Sequence, residues 1–533
     1  MPMTLDESSC VADACTPATP RRRFVSHLRA AEPGHRVQWL LIELGILTVM
    51  SMAGFLVMGY HPGAEDDGVY LTAIKADLNP SLFPHDSDFF KLEMKATVFD
   101  TWMAAFVRRT RIPLAWSELL WQLISIYCVV LASWTIVIQL FQESAARWAA
   151  ISMLVSMFTL PVAGTGLYIV DQYLHPRTLA TGLILFGISR IMAGRSWQSV
   201  PLLLLACLLH PIMGAFGISF CCVLVLTLFQ PLHARVHEMR TRTLTGVATP
   251  VIALIPFAWL FSPPSRCWLE ATQSRHWFRL DRWTWYEWLG VVGPIVLFWL
   301  IAYLAGKRSE TKLRQLATAI YLFSTIQLAL AGLVVSNSSL IGFRALEPMR
   351  YLHLVYVFLA LIGGACLGRY LLKGHVWRWA VFLLMANGSM FFAQRRLFAE
   401  TEHLELPGRM SKNPWIQAFD WIRQNTSQDA YFALDPKYMA APGEDYHSFR
   451  ALAERSVLAD DIKDTSVITK VPGLGPDWER QVRAQEGWAT FRLADFERLK
   501  SEFGVNWVMT AYPQPEGLLC SWHNDSFSVC RIP

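Results

Sequence analysis

The sequence predicts a mainly helical polytopic membrane protein carrying a C-terminal soluble α/β domain. Three observations predict it. The 533 residues are 53% hydrophobic and only 17% charged, with a mean hydropathy of +0.31, against roughly 45–50% and 25% in soluble globular chains. The apolar excess is gathered in blocks, several longer than the ~18 residues that span a bilayer. After about Arg395 the composition turns polar, charged and rich in turn residues. Together these exclude a soluble enzyme, a nucleic-acid-binding module, a disordered scaffold and a small disulfide-framed secreted domain. The first expected partner is the lipid bilayer, and no nucleic acid is expected.

Residues 1–37 read as a polar tail without a cleavable-signal pattern. Arg21, Arg22, Arg23, Arg29 and Arg36 place that tail in the cytoplasm. The transmembrane region is assigned to 38–394. Its first span is 38–59, followed by a long outer loop over 60–113. Within the loop, 97–109 has apolar residues at helical spacing and suits a helix lying on the membrane surface. Further spans are expected at 116–141, 148–170 and 178–193. The run 200–229 is interrupted by His210-Pro211, where proline removes a helix hydrogen bond. Basic residues on both flanks (Arg190 and Arg195, then Arg235 and Arg240) favour two passes with a turn near His210. Spans at 244–261, 285–305, 316–335, 351–372 and 377–394 follow, their inner loops carrying Lys307, Arg308, Lys312, Arg314, Arg369, Lys373 and Arg378. The total is about eleven spans, an odd number, so the C-terminus lies outside. The expected location is a bacterial inner membrane with a periplasmic tail.

Residues 395–533 form the outer soluble domain, ~140 residues and of ordinary domain size. Trp415, Phe419 and Ile422 share one helical face over 414–425. Strands are expected at 430–434, 456–459 and 505–510, a helix at 493–503, and a hairpin with arms 518–522 and 527–532. Strands alternating with helices make an α/β domain. Cys520 and Cys530 sit in the two hairpin arms, in a compartment that permits disulfides; a bridge and two free thiols both stay open. Cys128, Cys207, Cys221, Cys222 and Cys366 lie in apolar spans and read as packing residues.

The candidate chemistry lies in outer-side polar groups. Glu65-Asp66-Asp67 follows the first span within a few residues. Three adjacent carboxylates repel one another and become tolerable if they hold a divalent metal or accept protons from a substrate; a solvated acidic loop is the plain alternative. The same loop contains His61 and, in a proline- and aromatic-rich stretch, His85 and Asp86. Asp171, His175 and Arg177 share one short membrane turn, as a self-satisfied ion pair or a substrate contact. Arg266, Arg275, His276, Arg279 and Arg282, then Arg344 and Arg350, supply guanidinium groups that suit phosphate oxygens. Structural pairs with Glu270, Asp281 and Glu347 are the alternative. His210 reads as a hydrogen-bonded core histidine.

This layout resembles the GT-C superfamily of polytopic membrane glycosyltransferases: one span, an outer loop with an acidic signature at its start, many further spans and a terminal outer domain. Glu65-Asp66-Asp67 satisfies both the Glu-x-Asp and the Asp-Asp forms of that signature. The stretch from His61 to Tyr70, Pro84-His85-Asp86, and Trp421-Ile422-Arg423-Gln424-Asn425-Thr426 are also similar to a group of bacterial polytopic membrane proteins. The resemblance implies transfer of a sugar from a polyprenyl-phosphate or pyrophosphate donor to a glycan, lipid or protein acceptor on the outer face. It implies Asp66 or Asp67 as general base with Glu65 beside it, or Asp67 and Glu65 as ligands of Mg or Mn. It matches Arg350 to a phosphate-contacting arginine, while Arg344, His61, His85, Asp86, Asp171, His175, Arg177, Arg279 and Arg282 stand as substrate-contact candidates from their own place among the outer-side polar groups. A transporter or flippase would instead place charged pairs at mid-membrane, where Glu43 is the main candidate, and a non-catalytic scaffold would share the same architecture.

Overall fold

The computed structural model describes residues 33–228, 264–440 and 443–533. The chain divides into two units, 1–49 and 50–533; the site lies wholly within the second. The protein is mainly helical with one small C-terminal sheet. Among the described residues seven helices are long and apolar enough to cross a membrane: Val37–Met58, Leu114–Leu140, Pro211–Leu228, Trp285–Lys307, Thr311–Ser336, Pro348–Leu372 and Val376–Leu397. They are the mark of an integral membrane protein.

The expected span at 148–170 is corrected. The helix there, Ser144–Ser156, stops early, and Pro161, Gly164 and Gly166 lead the chain through turns closed by a Pro161–Tyr168 bridge. Apolar composition continues past the point where proline and glycine end the helix. Helix Pro176–Met192 is buried along most of its length and falls just short of a full crossing. The run 200–229 forms two helices, Ser199–Leu209 and Pro211–Leu228, with His210 extended between them and its Nδ1 accepting the Met213 amide at 3.3 Å. The expected span at 244–261, Arg235, Arg240 and the N-terminal arginines before Arg36 lie outside the described residues.

Helix Leu352–Leu367 is the most enclosed of the long helices. Gly364 near its end and Gly368, which opens the π-helical turn Gly368–Leu372 that continues it, sit four apart and bring the backbone against the Ala145–Ala149 face of helix Ser144–Ser156. A Cβ at either position would collide with a carbonyl oxygen of that helix. Small residues at this spacing are what allow close helix approach where lipid supplies no hydrophobic drive.

The 60–113 loop holds three helices, Asp67–Leu78, Asp88–Met94 and Phe99–Thr110. The last falls on the stretch expected to be helical, with Arg108, Arg109 and Arg111 exposed at its end.

In the C-terminal region β1 (Tyr431–Ala433), β2 (Ser456–Val457), β3 (Trp507–Ala511), β4 (Leu519–His523) and β5 (Phe527–Arg531) form one sheet in the order β2-β1-β3-β5-β4. The β2-β1-β3 half is parallel and the β3-β5-β4 half antiparallel. Side chains alternate between faces along each strand. Phe432, Met509 and Val529 pack under helices Pro414–Asn425 and Phe449–Ala453; Tyr431, Val508 and Cys530 pack under helix Leu493–Phe503. Asn413 caps the first of these helices by accepting the Trp415 amide at 2.9 Å, and Pro414 occupies its first turn. Cys520 and Cys530 face each other in the β4–β5 register and are joined by a disulfide. Two helices that local pattern did not announce, Lys463–Lys470 and Gly475–Ala484, carry the sheet toward the 60–113 loop. Phe89 of that loop packs with Ile468, Trp478 and Val482.

Candidate functional site

The acidic turn after the first span is built jointly with the start and middle of the C-terminal region. Tyr60 N donates to His403 O at 3.0 Å and Glu405 N to Tyr60 O at 2.9 Å, making a short parallel bridge. Ala64 bridges His447 in antiparallel sense, and Ser448 N donates to Gly63 O at 2.9 Å. Gly68 packs so closely on Ser448 that a Cβ there would overlap the serine Cβ. Side chains repeat the connection: His61 Nδ1 lies 2.6 Å from Glu405 Oε1, His447 Nε2 lies 3.1 Å from the same carboxylate, and the His61 ring stacks on Phe398 at 3.6 Å. Burial penalises the Glu405 charge, but His447 and His61 overcome it and hold the carboxyl down at about 2. His61 and His447 are fully enclosed, so both act as supports of the turn.

The turn sorts its three carboxylates. Glu65, at a positive φ of 48°, ion-pairs with Lys463. Asp67 is 2% exposed, and its Oδ2 accepts the Gly63 amide at 2.6 Å. Burial raises its pKa to about 7 against the lowering effect of that amide, His447 and Lys75. Asp66 occupies the N-cap of helix Asp67–Leu78 without using its side chain as a cap. That carboxylate is 39% accessible and stands 3.2 Å from Lys463 Nζ and 3.9 Å from His175 Nε2. Burial alone would raise its pKa; Lys463 first, with Arg177 and Arg350, outweighs burial and holds it well below the usual carboxylate range. Asp66 is therefore an ionised, reachable oxygen base ringed by cations.

His175 faces it in one tautomer. Its Nδ1 accepts the Arg177 amide at 3.0 Å, closing the N-terminus of helix Pro176–Met192 and leaving the N–H on Nε2 toward Asp66. Burial, followed by the fields of Arg177 and His210, keeps this imidazole neutral. Asp171 and Arg177 pair with each other at 2.6 and 3.2 Å, both buried, with Arg177 Nη1 left without a partner. The self-satisfied pair is thus the arrangement formed, and it lends its positive end to the Asp66 field.

Arg350 is nearly enclosed, pairs with Glu347, and lies within electrostatic reach of Asp66. Arg275 is 8% exposed, and neither its Nε nor its Nη2 has a hydrogen-bond partner among the described residues. Its charge is felt between Asp460 and Asp461 on one hand and Glu65 and Asp66 on the other. A buried guanidinium with open donors is costly unless an anion completes it.

Other sequence candidates stand elsewhere. Arg279 pairs with Asp281 on the exposed surface at 2.6 Å, and Arg282 is exposed. Arg344 donates to Val335 O at 3.0 Å. His85 stacks on Tyr431 at 4.5 Å and its backbone holds Ser456, while Asp86 accepts from Gln481 at 2.9 Å and from Tyr431. These two residues fasten the outer loop to the sheet. Glu65 pairs with Lys463 and Asp67 accepts the Gly63 amide. Among the described residues no group of three or more His, Cys, Asp or Glu side chains is arranged to hold a metal.

Sequence reasoning missed Lys463, Lys470, Glu405 and His447. Each reaches the turn or its surroundings from hundreds of positions away, and no local pattern announces such a partner. Arg275 was visible only as one of a basic run; its burial singles it out.

No known family model matches the chain, and no curated protein matches it in sequence.

Proposed function

We propose that the chain is a membrane glycosyltransferase of GT-C-like architecture, with a cytoplasmic N-terminus and an extracytoplasmic C-terminal domain. It takes a sugar from a polyprenyl-phosphate or pyrophosphate donor. The observation that carries the reading is Asp66: ionised, open, and set among Lys463, His175, Arg177 and Arg350. Sugar transfer needs a base for the acceptor hydroxyl and positive charge for the departing phosphate. Asp66 Oδ2 takes the acceptor proton, the freed oxygen bonds to the anomeric carbon, and the carbon–oxygen bond to phosphate breaks with inversion. The phosphate keeps the electron pair and meets Arg350 and Arg275. Of the two adjacent aspartates, Asp66 suits the base and Asp67 the support beneath it.

Arg275→Gln tests the leaving-group side. With polyprenyl-phosphate sugars in proteoliposomes, the apparent donor KM should rise at least tenfold, and inhibition by inorganic pyrophosphate should weaken in step. Unchanged values for both measurements sink the phosphate role. A transporter of a polar lipid or solute is favoured by one observation, the enclosed Glu118 of helix Leu114–Leu140 lying in the field of Asp67. That reading predicts proton-coupled uptake into vesicles without any new glycosidic bond.

A further inference from the structure

A cavity of about 470 Å³ opens between the 266–274 segment and the C-terminal domain, apart from the acidic turn. Its volume is in the range of small-ligand sites. Trp478 and Trp488 line it. The Trp478 N–H is already spent on Asp460 O at 3.0 Å, so that indole offers the cavity mainly carbon. Trp488 is braced by Phe491 and Phe496, with ring centroids 5.2 and 5.5 Å away, and is half-buried. Polar lining complements the rings. Among the described residues the carboxylates of Asp461 and Glu486 reach the cavity with no hydrogen bond or ion-pair contact, whereas Glu479 is taken by Arg483 and Cys267. Lys437 stands on the other side of the balance, making no ion-pair contact among the described residues but acting through its field on Asp461.

Flat apolar rings beside free carboxylates match the two kinds of surface a pyranose presents, its C–H face and its hydroxyl edge. Two unpaired carboxylates against one lysine disfavour an anionic ligand and favour an ammonium group. The location adds a role. Asp461 lies in the field of Arg275, whose charge also reaches Glu65 and Asp66, so the cavity neighbours the acidic turn. We infer that this cavity binds a neutral or amine-bearing sugar residue and, resting on the transferase reading for its purpose, holds the far part of the acceptor.

The test uses the full-length protein in detergent and calorimetric titration with three trimers: glucosamine, N-acetylglucosamine and galacturonate. These are cationic, neutral and anionic respectively. The glucosamine trimer should bind tightest and the galacturonate trimer should not bind up to millimolar concentration. Asp461→Asn with Glu486→Gln should weaken the glucosamine trimer about tenfold, to the level of the neutral one. Trp488→Ala should weaken both. Should Trp488→Ala fail to fold by thermal unfolding, the carboxylate pair decides. The inference is overturned if no trimer binds, if galacturonate binds as well as glucosamine, or if the carboxylate variant binds like the parent. Asp66→Asn separates the two readings, because it should stop transfer and leave all three titrations unchanged. A protein that binds the trimers but never transfers a sugar overturns the transferase and spares the cavity.

Discussion

Asparagine substitution at Asp66 and at Asp67 should give opposite results although the residues are adjacent. Asp66→Asn removes the open, ionised oxygen that stands 3.2 Å from Lys463. A positioned general base contributes roughly 10²–10⁴ in rate, so transfer should fall by that factor, equivalent to about 3–5 kcal/mol of barrier. Folding should be spared, because the side chain caps nothing and is partly in solvent. Asp67→Asn leaves an amide oxygen able to accept the Gly63 N–H now held at 2.6 Å. With the Asp67 pKa raised to about 7 by burial, a neutral side chain is already well populated at neutral pH, and asparagine mimics it. The rate should therefore stay within a few-fold of the parent. Asp67→Ala orphans the Gly63 amide and should cost about 1–3 kcal/mol of stability. Initial rates in proteoliposomes, measured beside thermal unfolding in detergent, read both quantities. Equal loss of rate in the two asparagine variants with native unfolding curves, or a near-parental rate in Asp66→Asn, refutes this division of labour.

Glu405→Gln should remove an acid-labile part of stability. A carboxyl held at about 2, against 4.5 when free, stabilises the fold above about pH 4.5 and loses that contribution as pH falls toward 2. The full effect is about 3 kcal/mol, so unfolding temperatures of parent and variant should converge on acidification; parallel curves contradict the His61–Glu405–His447 clamp. Gly68→Ala should destabilise by about 1–3 kcal/mol by overpacking, and Ser448→Gly in the same chain should restore much of the loss, because the two Cβ positions compete. Failure of rescue in thermal unfolding counts against that contact. Replacing Cys520 and Cys530 by serine opens a loop of sequence separation 10, worth about 3 kcal/mol on chain-entropy grounds; it should lower the unfolding temperature of the C-terminal domain without changing donor KM.

Much of this architecture was legible because single residues carry local physics. Apolar runs gave the long helices. The spacing of Trp415, Phe419 and Ile422 gave the helix Pro414–Asn425, and the turn residues between 522 and 527 gave the hairpin whose arms carry the two cysteines. The reading failed at 148–170, where Pro161, Gly164 and Gly166 outweigh apolar composition. At the site, adjacency made Glu65-Asp66-Asp67 conspicuous. Nothing local distinguishes the aspartate that faces the recess from the one that holds Gly63, since that follows from the φ of Glu65 and the start of a helix. The partners were illegible for a different reason: Lys463 meets Glu65 across 398 positions and Glu405 meets His61 across 344. Pairings of that separation are set by the finished fold.

The same separation bears on how the protein is made. The turn from Tyr60 to Gly68 is synthesised early, whereas His403–Glu405 and His447–Ser448, which bridge it, come hundreds of residues later. Until they arrive the turn has no strand partners, Glu65 and Asp66 lack Lys463, and the three acids stand as bare mutual repulsion. An immature or C-terminally shortened chain can hold its early helices in the bilayer yet own no working centre.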